Sequence, residues 1–234
     1  GKSLNVDSKS IISTASSTVR AIASNHGLSE ADQIKAAARV AQLSASELGL
    51  SKHDQALAAG AAAASAARSL GLDNDEIMSY GAAATAHAAK SLGLSVEDQV
   101  LLASQLAQIT AKEMEMSNDQ QIAAVMKIAS KIARDSGLSP EEDIALVSKA
   151  AANTAASNGL SAEDQIQAAA SAAMQAARNL GLSEDEQIKF AAEAAHKTAS
   201  VIGLSEEEQV EFSSKAAFQA AAQLGFSPDE QIAA

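Results

Sequence analysis

The feature that most constrains this chain is an unbroken repeat of 22 residues. Gly-Leu-Ser or a close variant begins at residues 27, 49, 71, 93, 115, 137, 159, 181, 203 and 225, and Asn5-Val6-Asp7 fills the same place in the first repeat. A fixed period of this length is typical of proteins in which each unit packs on its neighbours. We therefore expect residues 1–234 to form one continuous array of ten full repeats and a partial eleventh, within a fragment of a longer protein.

Each tripeptide combines a signal that ends a helix with one that begins the next. Glycine takes up the left-handed conformation found after many helices, and serine or aspartate is a favoured N-cap. An acidic or amide residue three positions later predicts a reciprocal capping box at each turn. Pro140 and Pro228 fall at the first helical position, where a missing N–H is harmless, and so support this frame independently. The predicted structural caps are Gly27, Ser29, Gly49, Ser51, Gly93, Ser95, Gly137, Ser139, Gly159, Ser161, Gly181, Ser183, Gly203 and Ser205.

This interval leaves room for one helix of about 18 residues and a three-residue link in each repeat. Three residues span at most ~10 Å, so consecutive helices must be antiparallel or sharply angled. The sequence therefore predicts an all-α fold of tandem 22-residue single-helix repeats stacked as an α-solenoid. A closed up-and-down helical bundle is the alternative. The array resembles HEAT, armadillo and tetratricopeptide arrays in architecture over the whole chain, without their signature residues.

Alanine determines how such helices can pack. Hydrophobic residues make up 47% of the chain, but 57 alanines supply more than half of them, and aromatic residues only 2%. Small side chains favour close approach of the helix axes, and a broad apolar arc predicts neighbours on two sides of each helix. Gly60 and Gly81 indicate either a close helix contact or sequence drift, with a binding notch as the alternative. The predicted packing anchors, at the eighth position of each repeat, are Ile12, Ile34, Met78, Val100, Ile122, Ile144, Ile166, Ile188, Val210 and Ile232, with Ala56 as the small exception.

Charge follows the helix dipole and limits the possible partners. The net charge of −12 argues against nucleic acid, whose phosphates need clustered Lys and Arg. Acidic residues gather in the first turns, and basic residues gather near the helix ends, where each complements the helix dipole. In an up-and-down array, we expect each such base to lie near the acids of the next repeat. The bases are Arg68, Lys90, Lys112, Arg134 and Arg178.

No enzymatic activity, cofactor or metal site is expected. The four histidines, His26, His53, His87 and His196, lack the spacing of metal ligands, and the chain has no cysteine. Acidic residues within a helix cannot surround a calcium ion as a loop does. No segment has the ~20 apolar residues of a transmembrane helix, and no signal peptide is evident. A soluble protein is expected, either cytoplasmic or, if a longer parent carries a signal, at the cell surface or outside.

The sequence favours a non-enzymatic structural, spacer or self-assembling scaffold array. A protein-binding α-solenoid is the alternative, and lipid-surface binding like that of apolipoproteins, which share the period, is a third. The expected partners are neighbouring copies, the rest of a longer chain or another protein. Candidate partner contacts are Tyr80, Phe190, Phe212 and Phe218, for each of which burial in the core is the alternative.

Overall fold

The computed structural model describes residues 6–226 and confirms the all-α tandem repeat. The four-residue gaps between most helices are one residue longer than expected, because the C-cap residue joins the turn. Pro228 and Ile232 lie outside the described residues. The ten helices in the described range are α1 (Val6–Asn25), α2 (Glu30–Glu47), α3 (Lys52–Ser69), α4 (Asn74–Ser91), α5 (Val96–Glu113), α6 (Asn118–Asp135), α7 (Pro140–Ser157), α8 (Ala162–Asn179), α9 (Glu184–Ile202) and α10 (Glu206–Leu224).

The helices form two compact units, residues 1–117 with α1–α5 and residues 118–234 with α6–α10. Within each unit, every helix packs closely against the helices before and after it and more lightly against the helix two places away. Among the described residues, α1 does not contact α5 in the first unit, and α6 does not contact α10 in the second. Each unit is therefore an open stack in which alternate helices share a layer.

The turn between α4 and α5 shows how one helix ends and the next begins. The N–H of Leu94 donates to the carbonyl of Ala89, and that of Gly93 to the carbonyl of Lys90, both at 3.0 Å. Gly93 has a φ of 73°, in the region where a Cβ is strained. Ser95 Oγ then accepts a hydrogen bond of 3.1 Å from the N–H of Asp98. Several of the helix-end groups that would lack partners are thereby satisfied within the turn.

Glu115 occupies the glycine position at the end of α5. It still adopts a left-handed φ of 57°, a conformation that costs an ordinary residue about 1–2 kcal/mol. The N–H of Met116 nevertheless donates to the carbonyl of Ala111 at 3.1 Å, as at the other turns. The turn therefore keeps its geometry without glycine.

The expectation of a reciprocal capping box at each turn is only partly correct. Where glutamate occupies the third helical position, its carboxylate accepts from the backbone N–H of the N-cap residue, as Glu76 Oε2 does from Asp73 at 3.1 Å. Where aspartate stands there, the shorter side chain accepts from the serine hydroxyl instead, as Asp98 Oδ2 does from Ser95 at 2.7 Å. The additional methylene group of glutamate therefore allows the bond to the N-cap backbone N–H, and Glu186 and Glu208 accept from the serine hydroxyl as well. Complete boxes are present at Asp73/Glu76, Ser139/Glu142, Ser183/Glu186 and Ser205/Glu208.

A buried or half-buried glutamine forms a further link at most turns, which the sequence pattern did not lead us to expect. The glutamine is the seventh residue of its repeat, and its Nε2 donates to the backbone carbonyl five residues earlier, on the far side of the N-cap. This bond ties the apolar residue of the turn to the first turn of the helix. The bonds are Gln33–Leu28, Gln55–Leu50, Gln99–Leu94, Gln165–Leu160, Gln187–Leu182 and Gln209–Leu204, at 2.8–3.0 Å.

Asp143 replaces this glutamine in the turn before α7. Its side chain is 1% exposed, and its Oδ1 atom has no hydrogen-bond partner. Burial raises the pKa of Asp143, and the charge of Arg134 and a hydrogen bond from Ser130 oppose that rise. The positive charge of Arg134 thus favours the ionised form of Asp143, an acid of the next repeat, as expected from the sequence. An ionised Asp143 is an acceptor that cannot donate to the Leu138 carbonyl.

Among the described residues, the eighth residue of each repeat is buried in the core except in two repeats, where Ile122 is half-buried and Val210 is exposed. Ile34, Val100 and Ile188 are at most 4% exposed between consecutive helices. Val210, predicted to be an anchor, is 59% exposed. Among the described residues, α10 packs against α9 and α8, which leave Val210 uncovered.

Gly60 and Gly81 lie where α3 and α4 approach each other closely. This finding favours a close helix contact over sequence drift or a binding notch. A Cβ built on Gly60 would overlap the side chains of Thr85 and Leu106 and lie 2.7 Å from the Gly81 carbonyl oxygen. A Cβ on Gly81 would lie 3.1 Å from Ala64 Cβ and from Leu106. The space that Gly60 leaves is therefore filled by Thr85 and Leu106.

Substitution of Gly60 tests this contact. Gly60→Ala adds helix propensity of up to ~1 kcal/mol, but the overlap with Thr85 and the Gly81 carbonyl outweighs it. We expect a net loss of about 1–3 kcal/mol in the free energy of unfolding, measured with urea. Gly81→Ala, whose added methyl group needs only small shifts, should cost much less. Stabilisation by Gly60→Ala would contradict the close contact.

Substitution of Asp143 tests the glutamine link. Because the folded-state pKa is raised, the contribution of Asp143 to stability is present below the pKa of an unfolded aspartate and lost as the pH rises through the raised value. Asp143→Gln removes the buried charge and supplies a donor for the Leu138 carbonyl. We expect a gain of about 1–3 kcal/mol in the free energy of unfolding at neutral pH, and a smaller gain near pH 4.

Asp143→Asn separates the two effects, because its amide is too short to form the glutamine link. It should recover only the part of the gain that comes from removing the charge. An Asp143→Gln chain that is no more stable than the Asn variant would show that the link contributes nothing to stability.

Candidate interaction groove

A groove of about 550 Å³ lies on the odd-numbered layer of the first unit. Helix α3 contacts both α1 and α5, which do not touch each other within the described range, so α3 forms the floor and the other two form the walls. The floor includes Ala61, Ala62 and Ser65. From Lys9 to Arg20 on α1, the groove runs about three helical turns, or ~16 Å.

The groove exists because small side chains do not fill the space between these helices. Ser13 on α1 and Ala61 and Ser65 on α3 are exposed residues of the lining. The α5 wall is apolar, with Leu106 buried against α3 and Ile109 44% exposed. Helix spacing is set by the turns and by the core beneath, so the helices do not close over this space.

Polar contacts link α3 to α5 near both ends of these helices. His53 Nε2 lies 3.7 Å from Asp98 Oδ1 near their starts, and Arg68 forms an ion pair of 3.1 Å with Glu113, a groove residue, near their ends. The expectation that Arg68 meets the acids of the next repeat is wrong. The partner Glu113 is two repeats away because parallel helices of one layer bring their equivalent ends side by side.

The α1 wall has two cations and no corresponding ion pairs. Lys9 and Arg20 both line the groove. Within residues 6–226, neither has a carboxylate at ion-pair distance, although the chain as a whole carries a net charge of −12. The side of the groove between α1 and α3 is therefore apolar. Along its α1 edge, the positive charges of Lys9 and Arg20 have no carboxylate partner within the described residues.

The aromatic residues predicted as partner contacts lie elsewhere. Tyr80 on α4 and Phe212 on α10 are half-buried against different core clusters. Phe190 on α9 is half-buried, with the Lys189 ammonium 5.7 Å from its ring centre. Phe218 on α10 is 48% exposed. Tyr80 thus belongs to the first unit and the three phenylalanines to the second, and the groove is lined by aliphatic, small and charged residues.

A second cleft of about 650 Å³ lies between α9 and α10 and has a mixed polar and apolar lining. Its lining includes Lys189, Glu193, His196 and Ser213. Lys189 pairs with Glu193 at 3.7 Å, and Ser213 donates to the carbonyl of Ala192 at 3.1 Å. Most polar groups of this cleft are thus used within the fold.

The predicted cap residues form turns and not a ligand site. Hydrogen bonds from Ser183 and Ser205 lower the pKa values of the capping carboxyls Glu186 and Glu208. In the described part of the chain, no three His, Asp or Glu side chains lie close enough together to hold a metal ion.

The sequence analysis did not find the groove residues Lys9, Arg20 and Ile109. A signal was nevertheless present, because the first repeat carries serines and cations where other repeats carry alanine and acids. Which of these residues face the groove depends on the packing of helices two repeats apart, and the repeat period does not specify that packing.

Two further findings bear on what kind of protein this is. None of the helices between residues 6 and 226 combines the length and hydrophobicity needed to cross a membrane. In comparisons with known proteins, no protein-family model matches the chain and no curated protein is significantly similar to it.

Proposed function

We propose that this chain is a non-enzymatic scaffold array, in which a series of helices is held at fixed mutual positions. The observation that supports this most is the repeated turn, with its helix-end bonds, serine cap and glutamine link. Each of these bonds restricts the angle between two consecutive helices. A chain that repeats one such turn at a constant interval is suited to present attached groups at defined positions.

The use of polar groups supports the same proposal. The Ser–Asp and Ser–Glu pairs serve as caps, and most of the seventh-position glutamines are bonded to backbone carbonyls. Catalysis requires polar groups that converge on a substrate and remain available to it. The polar side chains of the turns are instead occupied in maintaining the fold.

Partner binding is the second candidate function, and the groove on α1, α3 and α5 favours it. Solenoids commonly bind partners on surfaces formed by successive units. The exposed Ile109 and the unpaired Lys9 and Arg20 are features that the turns and the core do not explain. A scaffold with such a groove would fix a partner on one unit.

Distances between spin labels test the scaffold proposal, and the absence of cysteine makes the labelling specific. Labels at Lys52→Cys and Lys112→Cys would report on the exposed start of α3 and end of α5, which two turns separate. We expect a single narrow distance distribution in electron–electron double resonance, because both turns restrict the intervening helices.

A matched control carries the same two labels with Ser95→Gly and Gln99→Gly, which remove the cap and the glutamine link between α4 and α5. Its distance distribution should be clearly broader. Equally broad distributions in both chains would mean that the turns do not hold the helices in place, and the scaffold proposal would then fail.

A further inference from the structure

We propose that the groove on α1, α3 and α5 binds an amphipathic helix of another protein, one that carries acidic residues along the edge facing α1. This inference rests on partner binding, the second candidate function above. It goes further by specifying the secondary structure and the charge of the partner.

The shape of the groove suits a helix. It follows α1 and α3 for about three turns and is open along its length, since Ser13, Ala61 and Ser65 are exposed. Its volume of about 550 Å³ accommodates several aliphatic side chains from one face of a helix. Small residues on the floor permit the close approach that helix packing needs. An amphipathic helix in an apolar groove is a common mode of peptide recognition.

The charges of the groove identify the edge that the partner presents. Lys9 and Arg20 are eleven residues apart on α1, which places them ~16 Å apart along its axis. A docked helix would bring its residues at the same spacing beside both cations. Glu113 on the opposite wall is already paired with Arg68. Carboxylates are therefore favoured along α1, and complementary charge of this kind selects partners and speeds their association.

A second copy of this chain does not fit the same description. Its acidic residues cluster in the first turns, and none of its helices carries two acids spaced eleven residues apart. Most of its helices also bury their apolar faces against their own neighbours, and α10, which exposes Val210 and Phe218, carries all its acids within its first six residues. Two chains of charge −12 would in addition repel each other.

Binding of a designed peptide to the whole chain tests the proposal. The probe is a fluorescein-labelled helix of about 18 residues, with leucines on one face, alanines elsewhere and two glutamates eleven positions apart beside the leucines. A control peptide has lysines in place of the glutamates. Fluorescence anisotropy should show the glutamate peptide binding about tenfold or more tightly than the lysine peptide, with the difference shrinking at high salt.

Three variants locate the binding. Lys9→Glu with Arg20→Glu should reverse the preference between the two peptides. Ser65→Trp, which fills the groove from its floor, should weaken both peptides about tenfold or more. Lys131→Glu with Lys197→Glu, at exposed lysines of the second unit, gives the same change in net charge and should leave both affinities unchanged. Circular dichroism must show that each variant melts like the parent chain.

Several results would overturn the proposal. One is equal affinity for the two peptides. Another is an equal effect of the two charge-reversal variants on these affinities. A third is an affinity that Ser65→Trp does not weaken. If neither peptide binds, two further results would assign the groove to another occupant and so overturn the proposal. One is a dimer of this chain that Ser65→Trp abolishes. The other is binding to phosphatidylcholine vesicles that Ser65→Trp abolishes. The spin-label distances do not depend on any of these outcomes, so failure of the groove and failure of the scaffold are distinguishable.

Discussion

The structure depends on how this chain satisfies its helix ends. Every 22 residues, a helix has to end and another has to begin within about four residues, which leaves several backbone carbonyls and amides without helical partners. The left-handed residue and the serine cap satisfy most of them, and the glutamine of the next helix bonds the carbonyl just before the cap. Since the same bonds recur, the local geometry of the turns recurs too. Glu115 shows the strength of this constraint, because it is held at a φ of 57° although it is not a glycine.

Once the turns set the helix spacing, the size of individual side chains determines whether a space is filled or left open. Beneath α5, the missing side chain of Gly60 admits Leu106 and Thr85, and α3 and α4 come into close contact. On the other side of α3, Ser13 and Ser65 are too small to fill the gap to α1, and a groove remains. A packed contact and an open surface thus arise on one helix from the same spacing. The two proposed functions rest on different features. The turns support the proposal of a scaffold, and the groove supports the proposal of partner binding.

The sequence predicted the structural features that depend on residues close together in the chain. Helix number, helix length, the serine caps and the buried anchors such as Ile34 all follow from the 22-residue frame. The capping box was predicted too broadly, because the frame treats Asp98 and Glu76 alike although only glutamate reaches the N-cap amide. The glutamine link was missed although its signal is regular, since the frame alone does not show that this side chain folds back to the carbonyl before the cap. The pairing of Arg68 with Glu113 and the groove depend on helices two repeats apart, and no local pattern specifies those contacts.

Amide hydrogen exchange on the whole chain tests the central claim most directly, which is that the turns are as firmly held as the helices they join. The informative amides are those of Leu94, bonded across the end of α4, and Asp98, bonded to the Ser95 cap. If the turns fix the array, these amides should exchange at rates within about tenfold of the mid-helix amides of α4 and α5, because all would open in one cooperative event. Fast exchange at Leu94 and Asp98 beside slow exchange within the helices would show that the turns open independently, and would contradict this account.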